Sequence, residues 1–275
     1  MINQKGSIPF LVLVAVVGVI LVVSITSIAP FKNNILSKIF PKSASQAASD
    51  EWFQDGHDAQ RTGSISEEPT LPWTFLWSFN GPDASGSASA HLYDAPKEAR
   101  IVTGGSNIFV PAGVKGLYAL RKTNGSVAWN ITNTSFNAAP VYDPSTQTIL
   151  AGGADGQIYK INSETGAILG TFNTGSPINK ALLLAGGFVY SVSDNGKLNK
   201  VAISNVSPVW TYSANASGAT SPSYSSSRDS LIFATADLNV HSVKNSDGTL
   251  KWKVKPTPNN PGDSTITATQ TRSEE

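Results

Sequence analysis

The residues best suited to chemistry in this chain crowd into one short stretch, Trp52-x4-His57-Asp58-x2-Arg61-Thr62-Gly63. A histidine beside an aspartate can serve as a general base or hold a metal. One His and one Asp fall short of the three or four ligands that a zinc-type site uses. Trp77, Trp129, Trp210 and Trp252 offer flat faces on which a sugar or a planar cofactor can stack. Asp155, in the Gly-Ala-Asp-Gly turn at 153–156, is of the type used in calcium loops, but no second carboxylate stands at loop spacing. No G-x-S-x-G, H-E-x-x-H or phosphate-loop sequence occurs. The chain has no cysteine, which removes thiolate ligands, thiol nucleophiles and disulfides together. A net charge of +1, with 14% charged residues and no basic stripe, gives nucleic acid nothing to bind.

The spacing of these residues says more than their types. Tyr118, Tyr159, Asn199 and His241 follow one another at steps of 41, 40 and 42 residues. Ten residues before each stands an aliphatic: Ile108, Ile149, Val189, Leu231. Seven residues after each comes Gly125, Gly166, Val206, Gly248, and eleven after comes Trp129, Gly170, Trp210, Trp252. The copy at 148–172, TILAGGADGQIYKINSETGAILGTF, shows what repeats: short strands joined by Gly- and Asp-containing turns. Such a meander cannot bury its own apolar face, so the copies must pack on one another. A period near forty made only of strands and turns predicts a β-propeller with one four-stranded sheet per period.

The expected fold is therefore all-β, with about four blades near 99–133, 138–174, 180–214 and 219–255, a partial or half propeller. Their first strands are expected at 100–103, 138–142, 181–184 and 221–224. The periodic tryptophans then read as wedges between blades, and His241 as a packed strand residue in the column of Tyr118 and Tyr159. Trp77 extends the Trp column backwards, with an insertion at 81–97, so 76–80 is expected as an outer strand with no blade of its own. Four repeats with an unmatched strand predict open ends: either the reading frame is truncated, or self-association of two chains completes one eight-bladed disc.

Two stretches, GLYALRKTNGSVAW and GQIYKINSETGAIL, resemble the PQQ-type (pyrroloquinoline-quinone-like) repeat. That repeat builds quinoprotein dehydrogenases and the propeller lipoprotein of the outer-membrane β-barrel assembly machine. The resemblance covers about residues 50–255. A similar W…GHD…R-T-G opening packs across the end of such discs, which implies a structural role for Trp52, His57, Asp58, Arg61 and Gly63. The dehydrogenases bring adjacent cysteines and a calcium-binding carboxylate set, neither found here. The resemblance thus implies an interaction scaffold without catalysis or cofactor. The alternatives are a fragment of a quinoprotein dehydrogenase, with PQQ and calcium, or a cell-wall or sugar-binding propeller. An unknown protein partner would bind through the loops of the propeller faces.

Residues 8–29 form a 22-residue apolar run without charge. At ~1.5 Å per residue it spans a ~30 Å hydrocarbon core. Residues 1–31 are read as a transmembrane anchor and 32–50 as a juxtamembrane linker. Lys5 on one side and Lys32, Lys38 and Lys42 on the other leave the orientation open by charge. The resemblance implies a single-pass protein of the cell membrane with its propeller outside the cytoplasm. Residues 256–275, with three prolines and little apolar content, read as a disordered tail.

Overall fold

The computed structural model describes residues 51–64, 74–79, 81 and 96–256. The expected anchor, the linker and nearly all of the expected tail lie outside the described residues. No helix among the described residues is long and apolar enough to cross a membrane.

The described chain is all-β. Its strands form four four-stranded antiparallel sheets, each a meander in chain order. Blade 1 comprises β1 (Val102–Gly104), β2 (Asn107–Pro111), β3 (Leu117–Arg121) and β4 (Val127–Ile131). Blade 2 comprises β5 (Val141–Asp143), β6 (Thr148–Gly152), β7 (Gln157–Asn162) and β8 (Ile168–Asn173). Blade 3 comprises β9 (Leu183–Ala185), β10 (Phe188–Val192), β11 (Lys197–Ala202) and β12 (Ser207–Ser213). Blade 4 comprises β13 (Ser223–Ser225), β14 (Ser230–Ala234), β15 (Val240–Lys244) and β16 (Leu250–Val254). The first strands approach one another, β1 against β5 and β5 against β9.

The core lies between blades rather than within one. Phe109 and Trp129 of blade 1 pack with Tyr142 and Ile149 of blade 2. Leu150 and Ile158 of blade 2 pack with Val189 and Val201 of blade 3. Tyr190 and Leu198 of blade 3 pack with Leu231 and Phe233 of blade 4. Burial of each such side chain contributes about 1.5–3 kcal/mol. A strand covered on both faces has no reason to alternate, and β7 and β11 are buried along their whole middle. The outermost β8 and β12 alternate toward solvent.

Every blade carries the same irregularity. The register between third and fourth strands shifts between Ala119 and Leu120, Lys160 and Ile161, Lys200 and Val201, Ser242 and Val243. The extra residue is Ala128, Leu169, Val209 or Lys251, one place before the Trp column. A bulge re-aims the side chain that follows it, and the residue that follows is a tryptophan in blades 1, 3 and 4 and Gly170 in blade 2.

Two strand expectations differ in detail. The first strands begin two or three residues later than their apolar runs. The backbone just before them is engaged across repeats instead: Ala139 donates to Glu98 and Leu182 to Ala139. The segment 74–79 forms no ladder among the described residues, although Trp77 and Phe79 lie against blade 1; Asn80 is outside them.

Candidate functional site

The segment at 51–63 runs as a strap across the first strands of all four blades. The N–H groups of Thr103, Tyr142, Leu184 and Tyr224 stand at equivalent positions, at steps of 39, 42 and 40 residues. Thr103 donates to the Trp52 carbonyl at 2.9 Å and Tyr142 to the Phe53 carbonyl at 2.8 Å. Leu184 donates to Gln54 Oε1 at 2.8 Å, and Tyr224 to the Ala59 carbonyl at 3.0 Å. Gln54 Nε2 returns a bond to the Leu184 carbonyl at 3.3 Å. One short segment thus satisfies an edge donor in each blade that would otherwise be orphaned.

The strap turns sharply after Gln54. Gly56, His57 and Arg61 have φ of 73°, 73° and 58°. A Cβ on Gly56 would stand 2.6 Å from that of Arg61, so only glycine fits. Arg61 is the anchor, 5% exposed. Its Nε donates to the Pro222 carbonyl at 3.0 Å and its Nη2 to Leu182 at 3.4 Å. Its Nη1 bonds the Asp55 carbonyl and pairs with the Asp55 carboxylate. Burial pulls the guanidinium pKa down, and Asp55 opposes the shift.

Asp58 caps the turn, accepting from the Thr62 N–H and hydroxyl. Gly63 closes it by donating to Gly56. The His57 ring leans on Trp52 with centroids 5.4 Å apart. Its two nitrogens are buried without a hydrogen-bond partner among the described residues. No hydrogen bond among the described residues joins His57 to Asp58, so a base with its orienting carboxylate is not assembled. Gln54 was not visible in the sequence as a contact residue, because a lone amide carries no spacing signal.

The periodic tryptophans bind the next blade's turn. Trp77, Trp129 and Trp210 donate their indole N–H to the carbonyls of Lys122, Ser163 and Asn245, at 2.8, 2.9 and 3.0 Å. Their rings cover Gly125, Gly166 and Gly248, where a Cβ would come within 2.5, 2.8 and 2.7 Å of ring carbons. Gly170 stands in the Trp column of blade 2, and it faces Val206, which stands in the turn column of blade 3. Large and small have exchanged places. Lys160 fills the polar role there, with Nζ on the carbonyls of Ile203 and Ser204. Trp252 is 45% exposed and covers no turn among the described residues.

Tyr118 and Tyr159 are buried in the tyrosine column. The Tyr159 hydroxyl bonds Asp155, and burial together with that carboxylate pushes its pKa up to about 12. His241 is fully buried, between Tyr212 Oη at 2.9 Å and Thr235 Oγ1 at 3.1 Å, and stacks on Phe233. Burial, then Lys253, lowers its pKa.

A family model described as outer membrane protein assembly factor BamB matches residues 138–274. The chain is a PQQ-type β-propeller repeat protein. Among solved structures, quinohemoprotein alcohol dehydrogenase ADHIIG from Pseudomonas putida HK5 superposes with a TM-score of 0.60 at 13% identity, over 78% of this chain and 41% of that one. The quinohemoprotein alcohol dehydrogenase of Comamonas testosteroni gives 0.59 at 13% identity, over 78% and 42%. BamB from Moraxella catarrhalis gives 0.49 at 19% identity, over 56% and 50%. The PQQ-type chain thus spans half or less of the length of each. No curated protein matches it.

Among the described residues, no carboxylate set for a quinone–calcium site comes together. Gln54, Asp58 and Arg61 of the strap are bonded to protein groups, whereas the buried His57 nitrogens have no partner among the described residues. No group of three or more His, Asp or Glu converges among the described residues.

Proposed function

We propose that this chain is a membrane-anchored PQQ-type propeller that acts as a protein-interaction scaffold, outside the cytoplasm, with no catalysis of its own. The observation that carries the reading is the strap. The stretch that holds the most enzyme-like residues ties four inner strands together through its backbone and Gln54, with Arg61 bonded to the Pro222 carbonyl and Asp58 capping the turn at Thr62. The family match to an assembly factor supports the same reading. The apolar run at 8–29 supports the anchor. Partners would meet the loops on the blade faces, which carry short Gly, Ser and Asn segments.

Fractionation and assay of the full-length chain test this together. The chain is expected to stay in the membrane pellet through high-salt and carbonate washes. Protease added outside the cytoplasmic membrane is expected to cut it. Release by carbonate would refute the anchor, and protection from the protease the orientation. Dye-linked alcohol oxidation on adding the quinone and calcium would refute the scaffold reading in favour of a dehydrogenase.

A further inference from the structure

The column that holds Tyr118 and Tyr159 is filled in blade 4 by a residue that titrates near neutrality, His241, and its bonds differ from those of its counterparts. The Tyr159 hydroxyl bonds Asp155, and Asn199 Oδ1 accepts from Thr211 Oγ1 at 2.9 Å, each within its own blade. His241 reaches across a junction instead. It stands on β15, and Tyr212, whose hydroxyl lies 2.9 Å from His241 Nδ1, stands on β12 of blade 3. The other ring nitrogen, Nε2, lies 3.1 Å from Thr235 Oγ1, which in turn lies 2.5 Å from Asp237 Oδ1. Four side chains thus form one chain of bonds. It runs from a half-buried phenol, through a fully buried imidazole and hydroxyl, to a carboxylate in the exposed turn between β14 and β15.

Proton count fixes the direction of each bond. Thr235 has one hydroxyl proton, and at 2.5 Å from an ionised carboxylate that proton points at Asp237. Toward the imidazole the Thr235 oxygen can then only accept, so His241 Nε2 carries its hydrogen and donates. Nδ1 is left bare, and the Tyr212 O–H donates to it. Neutral His241 is therefore held in a single tautomer. A proton added at Nδ1 reverses the Tyr212 bond: the phenol must accept, and its own hydrogen loses its acceptor. The new charge lies against Phe233, stacked at 5.2 Å between centroids, and the Tyr212 ring, edge-on at 5.8 Å. The charged and titratable groups that face it are Lys253, its cross-strand partner on β16, together with Asp237 and Tyr212. Burial and Lys253 oppose the charge, and Asp237 favours it.

We propose that this chain of bonds is a pH-sensitive latch, which ties blade 4 to blade 3 while His241 is neutral and loosens that junction on acidification. The same column holds Tyr118, Tyr159 and Asn199 in blades 1 to 3, none of which gains a proton in the histidine range. The junction also rests on the packing of Leu198 and Tyr190 with Phe233, and on the Trp210 bond to Asn245, so acid weakens it without abolishing it. A histidine whose folded pKa is lowered stabilises the fold above its unfolded value of 6.5, and that contribution is lost as the pH falls below it. Each unit between the folded and unfolded values is worth about tenfold in protection of the junction. The inference rests on bond geometry and not on the scaffold reading, so either can fail alone.

The test is hydrogen exchange of the full-length chain in detergent between about pH 7 and pH 5, with each rate corrected for the intrinsic pH dependence of exchange. Protection in β12, β14 and β15 is expected to fall as the pH drops, ahead of β2, β3, β6 and β7. His57, the other described histidine, lies in the strap, so its titration would be read in the first strands instead. His241→Gln, which keeps one acceptor and one donor, is expected to hold protection in β14 and β15 constant across the range. Two substitutions of exposed residues separate a titrating latch from a merely packed histidine. Lys253→Gln removes the opposing charge and is expected to move the loosening to higher pH. Asp237→Asn removes the favouring charge and is expected to move it to lower pH. The ring resonances that His241→Gln deletes from the NMR spectrum are expected to report the Nε2–H tautomer at the neutral end and to titrate with the loss of protection. Uniform loss over the four blades, or acid sensitivity that survives His241→Gln, would overturn the proposal. So would the Nδ1–H tautomer at the neutral end, and so would charge variants that leave the midpoint in place or move it the same way.

Discussion

Because Trp129 packs on the next blade's turn and Trp252 is half exposed, two tryptophans of one sequence column are expected to behave differently on truncation. Trp129 is 9% exposed. Its ring lies on Gly166 and near Phe109, with centroids 5.9 Å apart, and its indole N–H bonds the Ser163 carbonyl. Trp129→Ala removes a buried aromatic and opens a cavity between two blades, which costs about 3–5 kcal/mol. The lost hydrogen bond adds only about 1 kcal/mol, because the Ser163 carbonyl keeps its bond from Asn107 Nδ2 at 2.8 Å. Trp252 covers no turn among the described residues and is 45% exposed, so its truncation is expected to fall within about 1 kcal/mol, as exposed substitutions do.

The assay is hydrogen exchange of the full-length chain. In a stacked array, stability is a sum of unit and interface contributions. Trp129→Ala is expected to speed exchange in β2, β3, β6 and β7, on either side of the broken junction, ahead of blade 4. Trp252→Ala is expected to leave all four sheets near their native protection. Equal losses for the two variants, or a loss below about 1 kcal/mol for Trp129→Ala, would refute the stabilising role of the contact between Trp129 and the next blade's turn.

Arg61→Leu leaves the Pro222 and Leu182 carbonyls and the Asp55 carboxylate without their donor. It is expected to cost roughly 2–4 kcal/mol, with exchange rising in the first strands of blades 2 to 4 together. Gly170→Trp alone is expected to destabilise, because a Cβ there already meets Val206 Cγ2 at 3.1 Å. Combined with Val206→Gly it should recover part of the loss, a favourable coupling that a double-mutant cycle reads directly. His241 has its pKa lowered by burial, so the unfolded chain binds the extra proton first. The stability it contributes is present above pH 6.5, the unfolded value, and is lost as pH falls below it. A His241→Gln variant is expected to show a flatter dependence of its thermal midpoint between about pH 5 and 7.

The repeat was legible because the blade repeats its turns and its apolar columns without slippage. What the Trp column touches was not read from the sequence, because the contact lies in the next repeat, about 35 residues on. Gly166 is 37 residues after Trp129, and Gly248 is 38 after Trp210. A signal for it does exist in the sequence. The one repeat that replaces Trp by Gly, at 170, is followed by the one turn that replaces Gly by Val, at 206. Paired changes of size in opposite directions are what a close-packed contact requires. The strap was legible as a motif but not as a set of contacts. Gln54 bonds a residue 130 positions away, and Arg61 one 161 away. No periodicity links a single segment to four different repeats.

The strap and the tryptophans solve two parts of one problem. A blade whose outer strand is tied to the next blade's turn is fixed at its rim but free to hinge at its inner edge. The first strands are only three residues long, too short to resist that motion by ladder bonds alone. The strap bonds one N–H in each of them, so it fixes the inner edge four times over. A residue such as His57, inside the strap but with no side-chain hydrogen bond among the described residues, contributes through packing on Trp52. Its replacement should therefore loosen the inner edges of the blades before it alters any surface the loops present to a partner.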